Sequence, residues 1–108
     1  MGIRLSKPFI ALEQASISEV TASLGVFELA DEHGVVIFIG YAGGRSLFGL
    51  RGMLTEYAAT SAASQFRYEV NSAYLTRYQE LLMAHIADHG RLPLENTEAD
   101  GVSLGRLS

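Results

Sequence analysis

The sequence contains no cysteine and only a single lysine, Lys7. Without cysteine there can be no disulfide and no metal site with thiolate ligands. The other basic residues are arginines scattered along the chain, and twelve acidic residues bring the formal net charge to −4. Affinity for a phosphate backbone normally comes from a surplus of lysine and arginine. The composition therefore argues against general nucleic-acid affinity, and DNA or RNA would have to bind to a local patch.

Long apolar runs are also missing. No run approaches the roughly 20 residues of a membrane-spanning helix, and residues 8–12 are too few for the apolar core of a signal peptide. These absences predict a cytoplasmic protein with no membrane partner. A chain of 108 residues, 48% of them apolar, is typical of one globular domain. We expect the domain to span residues 1–96 and a polar, loosely held tail to span residues 97–108.

Four segments have the composition of β-strands, because they are rich in β-branched and aromatic residues. The two strongest lie close together and predict a β-hairpin. A third segment predicts a later strand, and the weakest predicts a short edge strand. In that order they span residues 25–30, 35–40, 65–70 and 8–12.

The register of the hairpin follows from the length of its loop. Residues 31–34 separate the two strands and end in a glycine suited to positive φ. If these four residues form the loop, Ala30 pairs with Val35. Counting back then places Phe27 directly opposite Phe38, and opposed residues share one face of a sheet.

Helices are predicted in the intervening segments from capping residues and from apolar spacing of three and four. They run from Ser18 to Ser23, from the cap Ser46 to Ala63, and from a cap at Asn71 or Ser72 to Gly90. The expected buried stripes of the two long helices are Leu47, Leu50, Leu54, Tyr57 and Ser61, and then Leu75, Tyr78, Leu82, His85, Ile86 and His89. The pattern predicts an α/β domain: a small, central, mainly antiparallel sheet of about three strands with flanking helices.

Two features invite a ligand-binding interpretation. The glycine-rich loop at residues 40–45 follows a strand and precedes a helix, as phosphate-binding loops do. It has neither a Walker lysine nor a GxGxxG spacing, so a tight turn is the favoured interpretation. His85 and His89 lie one helical turn apart, as zinc ligands often do. They lack the acidic residue of an H-E-x-x-H motif, which favours packed histidines over a zinc site.

The hairpin resembles the paired motifs that name the GIY-YIG nucleases. Gly25-Val26-Phe27 stands where that family has its first motif, and Phe38-Ile39-Gly40 stands where it has its second. The order of the later elements is also similar: a helix with an arginine, a strand, a helix, and then a proline and an asparagine, here Pro93 and Asn96. The resemblance covers residues 24–96.

The resemblance implies phosphodiester chemistry on DNA or RNA with Mg²⁺ or Mn²⁺. By position, Arg51 matches the arginine that contacts the scissile phosphate, and Asn96 matches the asparagine that supports the site. Glu80 is the candidate for the glutamate that binds the metal. A hard cation prefers a carboxylate ligand, and a cation with an arginine can stabilise a phosphoryl transition state.

The sequence departs from this pattern at the reactive positions. Phe27 and Phe38 replace the two motif tyrosines and cannot hydrogen-bond water, while Tyr41 lies one residue past the second motif. Helical phase turns Glu80 towards solvent, and an alignment from Pro93 places His85 near the metal-ligand position instead. We therefore expect impaired catalysis, or alternatively a non-catalytic module that binds nucleic acid, a protein partner or a second copy of itself.

Overall fold

The computed structural model describes residues 4–96, so the predicted tail at residues 97–108 lies outside the described residues. Within residues 4–96, none of the helices has both the length and the apolar character needed to span a bilayer. The elements, in chain order, are β1 (Ile10–Ala11), α1 (Gln14–Ile17), β2 (Gly25–Ala30), β3 (Val36–Ala42), α2 (Gly49–Thr60), β4 (Gln65–Val70) and α3 (Tyr74–His89).

The strands form one four-stranded sheet in the order β1-β4-β2-β3. All three neighbouring pairs are antiparallel. The predicted α/β class with flanking helices is confirmed, and the sheet has one strand more than the central three because the short edge strand joins it. β2 lies between β4 and β3, and all its residues are buried. β3 is therefore an outermost strand of the sheet.

The hairpin register differs from the predicted one by two residues. Phe27 pairs with Gly40 and not with Phe38, so the predicted direct opposition is wrong. The loop is one residue longer than expected, since Ala30 pairs with Val36, and a β-bulge adds a second shift. The two single-residue shifts displace the pairing by two positions, and a displacement by two keeps each side chain on its predicted face of the sheet. Phe27 and Phe38 therefore still share a face, and their ring centroids lie 6.0 Å apart.

The two faces of the sheet are covered by different helices. α1 and α2 pack on the face that carries Phe27 and Leu29, and α3 packs on the face that carries Val26 and Ile39. Alternation along the strands sends successive side chains to opposite faces. The domain thus has three layers, with the sheet between α2 and α3.

The starts of α1 and α2 were predicted incorrectly. The first helix was predicted to run from Ser18 to Ser23, but α1 ends at Ile17, just before that segment. The Ser18 N–H donates to the Gln14 carbonyl and closes the last turn. Ser46 does not cap α2. Its hydroxyl oxygen instead accepts a hydrogen bond from the Gly43 N–H at 3.0 Å, and the N-cap is Phe48, with a left-handed φ of 63°. Leu47, predicted to be core, is 77% exposed in this loop.

The buried face of α3 is centred on Leu81 and Leu82. The prediction identified Leu82 and the helix end at Gly90, whose φ of 77° provides the left-handed cap. It was wrong about Leu75, which is 51% exposed. Leu75 shares the helical phase of Leu82, but it lies in the first turn of α3, beside the loop at residues 43–48.

Candidate functional site

An open groove runs along the outer edge of β3, where the sheet ends between α2 and α3. Its narrow part has a volume of about 270 Å³ and is lined by Phe38, Gly40, Tyr41, Ser46, Met53, Tyr57 and Tyr78. It widens at the end of β3 into a cavity of about 730 Å³ lined by Tyr41, Gly43, Gly44, Arg45, Ser46, Leu47, Met53, Glu56, Tyr74 and Leu75. The two parts share Tyr41, Ser46 and Met53, so we treat them as one site, the edge groove.

Aromatic side chains line both sides of the edge groove. On the α2 side, the rings of Phe38 and Tyr57 have centroids 4.6 Å apart, and both contact Phe27 behind them. On the α3 side, Tyr41 stacks on Tyr74 at 5.6 Å and meets Tyr78 edge-on at 4.9 Å. Aromatic contacts of this kind stabilise ring positions beyond simple burial. The walls of the groove are therefore pre-positioned.

Gly40 is required by this aromatic packing. A Cβ atom at residue 40 would lie 2.5 Å from the Phe27 ring and 2.7 Å from the Phe38 ring. Contacts that short force the rings to move, so only glycine lets them pack across the strand. The glycine of the second motif-like segment thus has a structural explanation that needs no catalytic role.

One half of the β3 edge is closed by the segment that follows α3. The Asn96 side chain accepts a hydrogen bond from the Ile39 N–H at 2.9 Å and donates one to the Ile39 carbonyl at 3.0 Å. The Glu95 N–H donates to the Ile37 carbonyl at 2.7 Å. The Glu95 carboxylate in turn accepts from the Ser61 hydroxyl at 2.7 Å. Asn96 therefore completes the sheet edge, and the open groove begins just beyond it.

The glycine-rich loop forms one wall of the wide part of the groove. The Gly43 N–H donates to the Ser46 hydroxyl, and the Gly44 N–H donates to the Tyr74 hydroxyl at 3.2 Å. The amides of the two loop glycines are thus already engaged inside the protein. Residue 43 must also be small, because a Cβ there would lie 2.8 Å from the Tyr74 ring. The geometry is that of the tight turn favoured by the sequence.

The predicted site residues are distributed over several places. Phe38 and Tyr41 line the edge groove, with Phe27 fully buried behind Phe38. Arg51 lies on the outer side of α2, where its Nε donates to the Val20 carbonyl at 2.9 Å. Asn96 is occupied at the sheet edge by the Ile39 backbone.

The two remaining candidates lie on α3. The Glu80 carboxylate accepts a hydrogen bond from Arg77 at 3.2 Å, and Arg77 also pairs with Glu69 at 2.8 Å. The ring of His85 packs on His89 with a centroid distance of 4.3 Å. Burial, with the charge of His89 as a lesser cause, lowers the pKa of His85. The sheet separates Arg51 from Glu80 and His85, so the structure does not bring the arginine together with either metal-ligand candidate.

The donor set around Glu80 does not fit a divalent cation. Within the described range 4–96, no three histidine, aspartate or glutamate side chains are arranged to hold a metal ion. Arg77 donates hydrogen bonds to both Glu69 and Glu80 and so joins the two acids into one cluster. A guanidinium already supplies the positive charge that a metal would bring.

A buried ion pair on the α3 face was not predicted from the sequence. Glu28, on the central strand, is 6% exposed and accepts a hydrogen bond from the Arg67 Nε at 2.7 Å. Burial raises the pKa of Glu28, and the Arg67 hydrogen bond opposes that shift. The signal was the register itself: Glu28 and Arg67 are direct cross-strand partners, and opposite charges at such positions attract. The pair lies outside the edge groove.

Comparison with known protein families gives one result. A model described as a domain of unknown function, DUF7508, matches residues 3–88. The chain belongs to this family. Neither the curated proteins nor the solved structures include a significant match to the chain.

Proposed function

We propose that this domain is a non-catalytic protein-binding module on a GIY-YIG-like scaffold, and that its partner docks in the edge groove. The observation that carries the proposal is the lining of the groove, which has aromatic side chains on both walls. Ligand sites are typically concave and lined mainly by such side chains, with a few polar groups that fix orientation. The cytoplasm remains the compartment that we propose, as the composition predicts.

The placement of the charged candidates argues for binding and against catalysis. Arg51 is turned to the Val20 carbonyl on the far side of α2, and Glu80 is engaged with Arg77 on α3. A general base contributes typically 10²–10⁴-fold to a rate, and Phe38 brings no hydroxyl to the groove. Neither Arg51 nor Glu80 is among the residues that line the groove.

The exposed side chains around the mouth favour a protein partner. Leu47 and Leu75, which line the wide part of the groove, are 77% and 51% exposed. Phe48, the neighbour of Leu47 in the chain, is 64% exposed. Clustered apolar exposure marks interaction sites, and aromatic residues, methionine and arginine are enriched at protein interfaces. Met53 adds an adaptable apolar contact in the groove, and Arg45 lies at the rim.

The proposal can be tested by selecting random seven-residue peptides, displayed on phage, against the full chain. We expect selected peptides to lose at least about tenfold in affinity when Met53→Glu places a charge in the groove, because burying an unpaired charge is unfavourable. Arg51→Ala, on the same helix but outside the groove, is the matched control and should bind as the wild type does. If no selected peptide is sensitive to Met53→Glu, the proposed function is wrong.

A second candidate function is binding of single-stranded nucleic acid. It is favoured by the stacked Tyr41–Tyr74 pair beside Arg45, because aromatic rings and arginine can stack bases without sequence preference. Fluorescence anisotropy with oligo(dT) and oligo(U) tests it. This candidate predicts saturable binding that weakens with salt and is lost in Arg45→Ala. The protein-binding proposal predicts no saturable binding.

A further inference from the structure

The open half of the β3 edge begins at Tyr41. In an antiparallel ladder, the N–H and C=O groups of successive residues point alternately towards and away from the paired strand. Ile39 directs both groups away from β2, because both are bonded to Asn96. The pairing of β2 with β3 is regular from residue 39 to residue 42. Tyr41 therefore also directs its N–H and C=O outward, and neither has a hydrogen-bond partner among residues 4–96.

Asn96 shows what these outward groups can bind. Its side-chain amide both accepts from and donates to Ile39, which is the double exchange that a residue of an added strand would make. Hydrogen bonds of the kind that an added strand would make are thus already present at Ile37 and Ile39. The next equivalent position, Tyr41, lies in the narrow part of the edge groove.

We propose that the edge groove binds an extended peptide that adds to the sheet as a further strand, with one peptide residue exchanging two backbone hydrogen bonds with Tyr41. The inference rests on the proposed protein-binding function and specifies the form of the ligand. Strand addition to an exposed sheet edge gives affinity through the main chain and selectivity through pockets for alternate side chains. Ile39 is already bonded to Asn96, and the Gly43 N–H is already bonded to Ser46, so the edge available to the peptide consists of the two backbone groups of Tyr41 between them.

The walls of the groove define the side-chain pattern of the peptide. The residue opposite Tyr41 points to the α3 side, where Tyr41, Tyr74 and Tyr78 form the wall. Its two neighbours point to the α2 side, towards Met53 and Tyr57. Since both walls are apolar or aromatic, a peptide with consecutive apolar residues that suit a strand fits better than one with apolar residues at helical spacing.

The experiment uses synthetic versions of the selected seven-residue peptides, each N-methylated at one position in turn. N-methylation removes a single backbone donor and leaves the side chains unchanged. We expect one position, the residue opposite Tyr41, to lose about tenfold in affinity for the wild-type chain, with smaller changes at its neighbours. On the protein side, Tyr41→Pro removes the N–H, and Tyr41→Ala removes the same ring but keeps the N–H. The proline variant should bind at least about fivefold more weakly than the alanine variant.

The outcomes separate this inference from the proposed function. Peptides that depend on Met53 but are insensitive to N-methylation at every position, or that carry apolar residues at helical spacing, would overturn strand addition and leave protein binding intact. Failure to select any groove-dependent peptide would overturn both. A concentration-dependent dimer that Tyr41→Pro dissociates and Tyr41→Ala does not would identify a second copy of the chain as the occupant, which overturns the peptide proposal.

Discussion

The two faces of the sheet are stabilised in different ways. The buried residues of the α2 face are all apolar: Ile17, Val20, Phe27, Leu29, Ala42, Leu50, Leu54 and Phe66. The α3 face combines an apolar cluster around Leu81 and Leu82 with the ion pairs Glu28–Arg67 and Glu69–Arg77. Burial of apolar area stabilises a fold directly, whereas a buried ion pair gives little net stability because desolvation offsets the attraction. We infer that, for the same buried area, the α2 face contributes more to the free energy of unfolding than the α3 face does.

The largest effect is expected from Phe27→Ala on the α2 face. Phe27 is fully buried, and loss of a buried phenylalanine side chain costs about 3–5 kcal/mol. Phe38→Ala is the matched control, because Phe38 contacts the same rings but lies in the open groove. Its cost in chemical denaturation should be less than half as large. Equal losses would mean that the groove is closed and part of the core.

On the α3 face, Leu82→Ala should lower the free energy of unfolding by about 2–5 kcal/mol. Leu75→Ala on the same helix should change it by less than about 1 kcal/mol, since Leu75 is half exposed. Urea denaturation of both variants measures the difference. A cost below about 1 kcal/mol for Leu82→Ala would contradict the phase of α3, and with it the outward position of Glu80.

Glu69→Gln should cost about 1 kcal/mol at pH 7, a typical value for one partly exposed charge-assisted hydrogen bond. The hydrogen bond from Arg77 is the main cause that lowers the pKa of Glu69 below its ordinary value of 4.5. A lowered pKa means stability that is present above pH 4.5 and is lost as the pH falls through the folded-state pKa. The difference between wild type and Glu69→Gln should therefore shrink in acid, as thermal unfolding at several pH values can show.

Glu28→Gln should have the smallest effect and the opposite sign. Burial raises the pKa of Glu28 above 4.5, so the folded state holds this proton more tightly than the unfolded state does. Stability then falls as the pH rises from 4.5 through the folded-state pKa. We expect Glu28→Gln to match the wild type at pH 4 and to be at least as stable at pH 7. A variant clearly less stable at pH 7 would show that the Arg67 pair outweighs its desolvation.

The sequence was most informative where structure depends on local pattern. The strand at residues 65–70 and the helix end at Gly90 were predicted at their observed positions. The start of α2 was not, because the Leu50 N–H in its first turn donates to the Ser23 carbonyl, 27 positions away in the chain. The hairpin register was predicted incorrectly because the loop is one residue longer than expected and a bulge adds a second shift, and the two shifts together leave each side chain on its predicted face.

The edge groove was beyond sequence reasoning for a similar reason. Its walls come from β3, α2 and α3, and its closed end depends on Asn96 meeting Ile39 across 57 positions of the chain. Two of the residues singled out by the motif-like segments, Phe38 and Tyr41, line the groove. They could not indicate that Arg51 turns away to the Val20 carbonyl, because that depends on how α1 packs on α2.

The most direct test of the central claim, that the groove binds without catalysing, is a nuclease assay. Single- and double-stranded DNA and RNA are incubated with the full chain in Mg²⁺ or Mn²⁺, with EDTA as the baseline and Arg51→Ala as a variant. We expect no cleavage above the EDTA baseline for either protein. Robust cleavage by the wild type that both EDTA and Arg51→Ala abolish would contradict the claim that the groove binds without catalysing. Loss of that cleavage in Glu80→Ala would identify Glu80 as the metal ligand.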